Sequence, residues 1–203
     1  LSWAKNKVQD IKFGILPLIV MLGIIAFILL KQPDTKSFIL ITITGISMLF
    51  ISGVPIKYVL GFSTIIIVLL GILVYFTPYL QERIKTFIDP SVDPRGSSYQ
   101  VRQSQIALGS GSFWGRGYGK SVQKFTYLPE AQGDSIFAVL GEELGFVGSI
   151  MTILLYCIFT LRGLRIANNS PNLFSRLLVF GIVILITTQS FLHIASIIGV
   201  FPL

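Results

Sequence analysis

Two carboxylates close a polar stretch of this chain. Tyr127-Leu128-Pro129-Glu130-Ala131-Gln132-Gly133-Asp134 leads straight into the apolar Ser135-Ile136-Phe137-Ala138-Val139-Leu140. Asp134 therefore stands where a polar segment enters an apolar helix, and that helix holds it at the water–lipid boundary. From there a carboxylate can act as a base on a group carried by a membrane lipid. Pro129 pre-sets the backbone before Glu130, and Gly133 frees it before Asp134. A plainer task fits the same position. Asp134 is a fair N-cap for a helix starting near Ser135, because the open N–H groups of a first turn favour a carboxylate. Residue types alone leave base and cap both open.

The polar stretch runs from Gln81 to Asp134. Its cations, Arg83, Lys85, Arg95, Arg102, Arg116, Lys120 and Lys124, outnumber Glu82, Asp89, Asp93, Glu130 and Asp134. The surplus asks for an anionic partner, either lipid headgroups or a phosphate-bearing substrate. No nucleic-acid partner is expected. The glycine-rich run Gly109 to Ser121 resembles a phosphate-binding loop only superficially, since Trp114 occupies the position where such a loop needs its first glycine. Its glycines instead allow close backbone approach, and Trp114 and Tyr118, interleaved with Arg116 and Lys120, suit the headgroup level of a membrane. Asp89-Pro90, Asp93-Pro94 and Gly96-Ser97-Ser98 read as turns. Tyr99 to Leu108 predicts a short amphipathic helix with Val101, Ala107 and Leu108 on its apolar side.

Glu142 and Glu143 fall inside the apolar helix that follows Asp134. An acid at bilayer depth costs roughly 2.5–3.5 kcal/mol, so at least one is expected to face protein or water rather than lipid. His193 reads as a packed neutral histidine, and Cys157 as a small apolar residue with no disulfide partner in the chain.

The elements that position these groups are membrane helices. The chain is 53% hydrophobic and 12% charged, against about 25% charged in a soluble domain. Uncharged runs at 13–30, 38–56, 58–80, 144–161 and 177–203 are each near the ~20 residues that cross a bilayer at 1.5 Å per residue. They lack both a polar helical face and barrel-like alternation, which predicts an all-α, polytopic transmembrane bundle. Residues 1–80 are expected to form an amphipathic lead-in and three spans, 81–134 a large extracytoplasmic loop, and 135–203 two further spans. Lys5, Lys7, Lys12, Lys57, Arg162, Arg165 and Arg176 place the short loops on the cytoplasmic side, which leaves 31–36 and 81–134 outside. No expected span pairs an interrupted helix with an ionisable residue, which argues against a generic permease. The chain starts at Leu1 and stops abruptly at Phe201-Pro202-Leu203, so it is read as part of a longer protein.

Several of these motifs together resemble the SEDS family (shape, elongation, division, sporulation) of peptidoglycan polymerases. The residues concerned include Phe87-Ile88-Asp89-Pro90, Tyr99-Gln100, Gln103-Ser104, Gly109-Ser110-Gly111, Trp114-Gly115-Arg116-Gly117, Ser121-Val122-Gln123-Lys124, Tyr127-Leu128-Pro129-Glu130-Ala131, Asp134 and Gly141-Glu142-Glu143-Leu144-Gly145. Gln32-Pro33-Asp34 and Gly199-Val200-Phe201-Pro202-Leu203 extend the likeness over most of the chain. The Ser-Val-Gln-Lys and Tyr-Leu-Pro-Glu-Ala wording is nearer the division branch than the elongation branch. Two departures stand out. Gln132-Gly133 replaces the usual His-Thr before the aspartate, and Thr35-Lys36-Ser37 replaces the usual Phe/Leu-Gly-Thr after Pro-Asp.

The resemblance implies a multi-pass protein of the bacterial cytoplasmic (inner) membrane, with this chain covering helices five to nine of ten. It implies glycosyl transfer between two molecules of lipid II, the undecaprenyl-diphosphate-linked disaccharide peptide, with Asp134 as the general base and undecaprenyl diphosphate as the leaving group. Lys124, Arg102, Arg116 and Lys120 are then candidates for the diphosphate. Glu130 would orient the acceptor or a cation, and Gln100 would contact substrate. The leaving charge is met by these cations with or without a divalent ion such as Mg2+ or Mn2+. A class B penicillin-binding transpeptidase is the expected protein partner, beside membrane lipids. Two other roles fit the same resemblance, a lipid II flippase and a non-catalytic membrane scaffold for the transpeptidase.

Overall fold

A computed structural model describes residues 20–25, 28, 34–89, 97–126, 128 and 133–202. The described residues form helices joined by turns and loops, α1 (Thr35–Ile51), α2 (Ile56–Phe76), α3 (Pro78–Ile88), α4 (Ser97–Ser110), α5 (Gln123–Thr126), α6 (Ile136–Asn168) and α7 (Leu173–Ile197). Residues 20–25 are helical too. The helices α2, α6 and α7 are long and apolar enough to cross a membrane, and α1 is a shorter apolar helix. Their exposed side chains include Leu60, Ile67, Leu69, Leu155, Leu161 and Ile182, a surface suited to lipid rather than water. The all-α, polytopic membrane architecture expected from the uncharged runs is the one observed.

The chain divides into two compact units, Leu1–Ile72 with Ile158–Gln189, and Leu73–Cys157 with Ser190–Leu203. In the first unit, α1 starts where the Asp34 side chain accepts a hydrogen bond from Ser37 N at 3.0 Å. It ends at Ile51 because Gly53 turns left-handed at φ 90° and Pro55 follows. The uncharged run 38–56 hides this stop, so the helix is shorter than hydropathy alone suggests. Leu49, Val54 and Val59 form a small core under Ile46, Tyr58 and Phe62. Elsewhere in this unit Gly163 lies so close to Val183 that an added Cβ would overlap it, and Thr160 and Thr187 hydroxyls meet at 2.8 Å. Small residues and hydroxyl pairs of this kind hold apolar helices together where water supplies no driving force.

The second unit positions the polar residues. The run 58–80 breaks at Thr77, whose φ of −111° and ψ of 103° are extended, and Pro78 opens α3. Gln81, on α3, donates to Tyr75 O at 2.6 Å across this corner. Its core is Ala107, Leu128, Phe137, Ala138, Val139, Ile194 and Ile197, with Leu108 and Ile153 packed against it. The expected short helix at 99–108 is observed as α4, with Ala107 fully buried and Leu108 on the core.

One feature departs from the sequence expectation of unbroken spans. The helix α6 is interrupted at Gly145, where φ is 68° and ψ is −165°. The break directly follows Glu142 and Glu143, so a span does pair an interruption with ionisable residues.

Candidate functional site

The break at Gly145 is filled by the glycine-rich loop. In an unbroken helix Phe146 N and Val147 N would donate to the carbonyls of Glu142 and Glu143. Here Phe146 N donates to Ser112 O at 2.9 Å and Val147 N to Phe113 O at 3.3 Å. The carbonyls of Glu142 and Glu143 instead accept from Arg116 N and Gly117 N, both at 3.0 Å. The loop backbone thus inserts into the helix ladder, and these four groups are satisfied again. This insertion needs close approach. A Cβ on Gly111 would collide with the Gly141 carbonyl, and one on Gly115 with the Glu143 carbonyl. Gly115 and Gly117 also have φ of 77° and 104°, where L side chains are strained. Close backbone approach was the expected use of these glycines.

The Glu142 and Glu143 side chains tie down the rest of the loop. Glu142 is fully buried and accepts from Ser121 Oγ at 2.6 Å, Val122 N at 3.1 Å and Gln123 N at 3.3 Å. Arg116 lies 3.5 Å from the same carboxylate. Glu143, also buried, accepts from Gly119 N at 2.9 Å and from Lys124 Nζ at 2.6 Å. Ser121 Oγ in turn accepts from Lys124 N at 3.2 Å, fixing the start of α5. The expectation that at least one of these acids faces protein holds for both. Donors that could cradle an external anion, Gly119 N–H, Ser121 O–H and two further backbone N–H groups, are directed at the protein's own carboxylates.

Asp134 is a different kind of acid. It sits in the turn 133–135 just before α6 and is exposed. Among the described residues its carboxylate makes no ion pair or hydrogen bond, neither a helix-capping bond nor any other. Directly beside it, Ser135 is fully buried, and Gln100 on α4 reaches Ser135 Oγ with its Nε2 at 3.4 Å. Gln100 thereby links α4 to the turn that presents Asp134.

The cations separate into two groups. Lys124 and Arg116 are engaged by Glu143 and Glu142, which is where the structure places two residues expected to meet a diphosphate. Lys120 and Arg102 are exposed and carry no ion pair among the described residues. Glu130 lies outside the described residues. Sequence reasoning overlooked Ser121 and Gly119 as partners of the buried acids, and a pair of glutamates two turns inside an apolar helix was the available signal.

Among the described residues, the donor set does not fit a resident divalent cation. The described residues contain no group of three or more His, Cys, Asp or Glu side chains placed to share an ion. Glu142 and Glu143 direct their oxygens to the loop, and Asp134 offers one carboxylate.

Comparison with known proteins agrees with this architecture. The family model described as "Cell cycle protein", covering FtsW, RodA and SpoVE, matches residues 1–203. A probable peptidoglycan glycosyltransferase FtsW from Trichlorobacter lovleyi is 37% identical over 198 residues, covering 98% of this chain and 52% of that protein. The protein of the same description from Buchnera aphidicola subsp. Schizaphis graminum is 37% identical over 205 residues, covering 100% of this chain and 58% of its own length. The chain thus spans about half the length of the curated relatives it matches. A solved chain from a peptidoglycan synthase complex shares the fold with a TM-score of 0.70 at 24% identity, over 97% of this chain and 53% of that one. An all-α membrane fold, a family match over every residue and relatives above one-third identity together place this chain in the FtsW/RodA/SpoVE family.

Proposed function

We propose that the full-length protein polymerises lipid II into glycan strands on the outer face of the bacterial cytoplasmic membrane during cell division, with Asp134 as the general base. The 4-hydroxyl of the acceptor's N-acetylglucosamine attacks C1 of the donor's N-acetylmuramic acid. The C1–O4 bond forms as the bond from C1 to the diphosphate oxygen breaks, and that electron pair leaves with undecaprenyl diphosphate. The hydroxyl proton passes to Asp134. A sugar hydroxyl is a poor nucleophile at neutral pH, and a positioned base contributes typically ~10²–10⁴-fold. No covalent intermediate is needed.

One observation carries this reading. Asp134 is exposed and unpaired among the described residues, whereas the neighbouring Glu142 and Glu143 are buried and fully engaged by the loop. Lys120, exposed and without an ion pair among the described residues, lies on the same loop as Arg116 and Lys124 and serves the leaving diphosphate first. Arg116 and Lys124 hold the loop in shape. Relatives that carry the name peptidoglycan glycosyltransferase support the reaction class. The protein partner on this reading is a class B penicillin-binding transpeptidase.

The interruption at Gly145 favours a second reading, because broken helices beside ionisable residues line the pathways of transporters. A lipid II flippase would use such a break. Reconstituting the full-length protein with lipid II in proteoliposomes separates the two. The polymerase reading expects glycan chains, lost in Asp134→Asn and partly kept in Asp134→Glu. Lipid II translocation without any polymer, unaffected by Asp134→Asn, would assign the protein as a flippase. Neither activity, with transpeptidase binding intact, would leave a scaffold.

A further inference from the structure

A second polar feature lies on the other flank of α4. Gln100, Ser104 and Ala107 recur at helical spacing on the side that meets Ser135 and the core, with Ser104 and Ala107 buried. Ser98, Arg102 and Gln105 recur on the opposite side. They line a cavity of about 200 Å³ together with Arg83, Phe87 and Phe201.

Among the described residues this cavity lacks a counter-charge. No carboxylate belongs to its lining, and neither Arg83 nor Arg102 forms an ion pair among the described residues. Arg83 is held in place by its guanidinium, 4.7 Å from the centre of the Tyr79 ring, a cation–π arrangement that leaves its donors available. Ser98 supplies an independent sign. It is only 4% exposed, and its hydroxyl has no hydrogen-bond partner among the described residues. Buried hydroxyls are almost always satisfied, so an orphan in the wall of a cavity marks a missing ligand atom. Two guanidiniums and one hydroxyl suit the oxygens of a phosphate.

The surroundings say what carries that phosphate. Phe87, Val101 and Phe201 form apolar wall, and Ile84 and Ile88 on the same α3 helix are exposed. An apolar helix surface beside a cationic cavity borders the lipid phase, so the phosphate belongs to an amphiphile rather than to a free ion.

We propose that Arg83, Arg102 and Ser98 bind the phosphate of a membrane lipid, at a site on the flank of α4 opposite Gln100. It does not depend on Asp134 acting as a base. The lipid is a bulk anionic phospholipid or a polyprenyl diphosphate, and both present the same oxygens.

The test titrates purified full-length protein in neutral detergent with dihexanoyl phosphatidylglycerol, farnesyl diphosphate, dihexanoyl phosphatidylcholine and inorganic phosphate, following heat release. Phosphatidylglycerol or farnesyl diphosphate should bind, and whichever binds more tightly identifies the source. Arg102→Gln and Arg83→Gln should each weaken that ligand roughly tenfold, the effect of losing a charge-assisted hydrogen bond. Ser98→Ala should weaken it less, and Lys85→Gln, a loss of the same charge outside the cavity, should change nothing. Arg102 is exposed, so its replacement leaves the fold intact even if Arg83→Gln does not. Equal weakening by Lys85→Gln, no effect of Arg102→Gln, or binding of phosphate and phosphatidylcholine as tight as that of the anionic lipids would overturn the proposal.

Discussion

The Asp134 turn, just before α6, and the Glu142–Glu143 break within α6 both carry acids, yet use them in opposite ways. At the break the carboxylates are buried, and their oxygens meet Ser121, Gly119, Lys124 and neighbouring backbone N–H groups at 2.6 to 3.3 Å. At the turn the carboxylate is exposed, with no ion pair or hydrogen bond among the described residues. A buried charge persists only if paired and hydrogen-bonded throughout, which makes it a fastener. An unshielded charge at the helix entrance is available to a substrate. The contrast teaches that acid content near a membrane helix is not evidence of chemistry until each oxygen has been accounted for.

Substitutions that break this contrast should differ most in stability, and melting temperature in detergent reads it. The largest loss is expected for Glu142→Ala. It strands the Ser121 hydroxyl and two backbone N–H groups around a buried void and releases the exposed Arg116 to water, at a cost of about 3–5 kcal/mol. A melting temperature close to wild type would mean that the carboxylate fastens nothing. Gly115→Ala comes next. Its Cβ meets the Glu143 carbonyl at a φ of 77°, so the loop must withdraw from the break, for about 3 kcal/mol.

Lys124→Ala is smaller. The Lys124 side chain is 25% exposed, so water partly replaces it beside Glu143, and about 1–2 kcal/mol is expected, below the loss for a fully buried pair. Lys124→Ala and Lys120→Ala sharpen the assignment of the cations. The first should lower melting temperature, while the second should leave it unchanged and weaken lipid II binding instead. Reversed outcomes would exchange the structural and binding roles of the two lysines.

Much of this fold was legible in residue order. The uncharged runs at 58–80, 144–161 and 177–203 fall on α2, α6 and α7, the expected helix at 99–108 falls on α4, and the run at 13–30 lies largely outside the described residues. The cost of burying Glu142 and Glu143 predicted protein neighbours for them. What hydropathy missed were stops hidden inside uncharged runs. Ser52-Gly53-Val54-Pro55 ends α1, and Thr77-Pro78 ends α2 and opens α3, although no charge marks either place. The interruption at Gly145 was not legible for a deeper reason. Gly61, Gly71 and Gly148 also occur in apolar helices and stay helical. Only the insertion of Ser112 to Gly117 distinguishes Gly145, and that is a long-range contact. Lys124 was a candidate for the diphosphate, but the fold brings Glu143 to it first. Arg83 counted only as one of seven cations in the polar stretch, because its companions in the cavity, Ser98 and Arg102, come from another helix.

Asp134→Asn should disturb the structure least, since no hydrogen bond or ion pair among the described residues depends on the charge. It is also the most direct measurement of the central claim. Purified full-length Asp134→Asn protein should melt with wild type and bind lipid II with wild-type affinity, yet form no glycan chains with or without the proposed transpeptidase partner. Glycan synthesis at the wild-type rate would contradict Asp134 as the base, and Glu130 would then be the acid to examine.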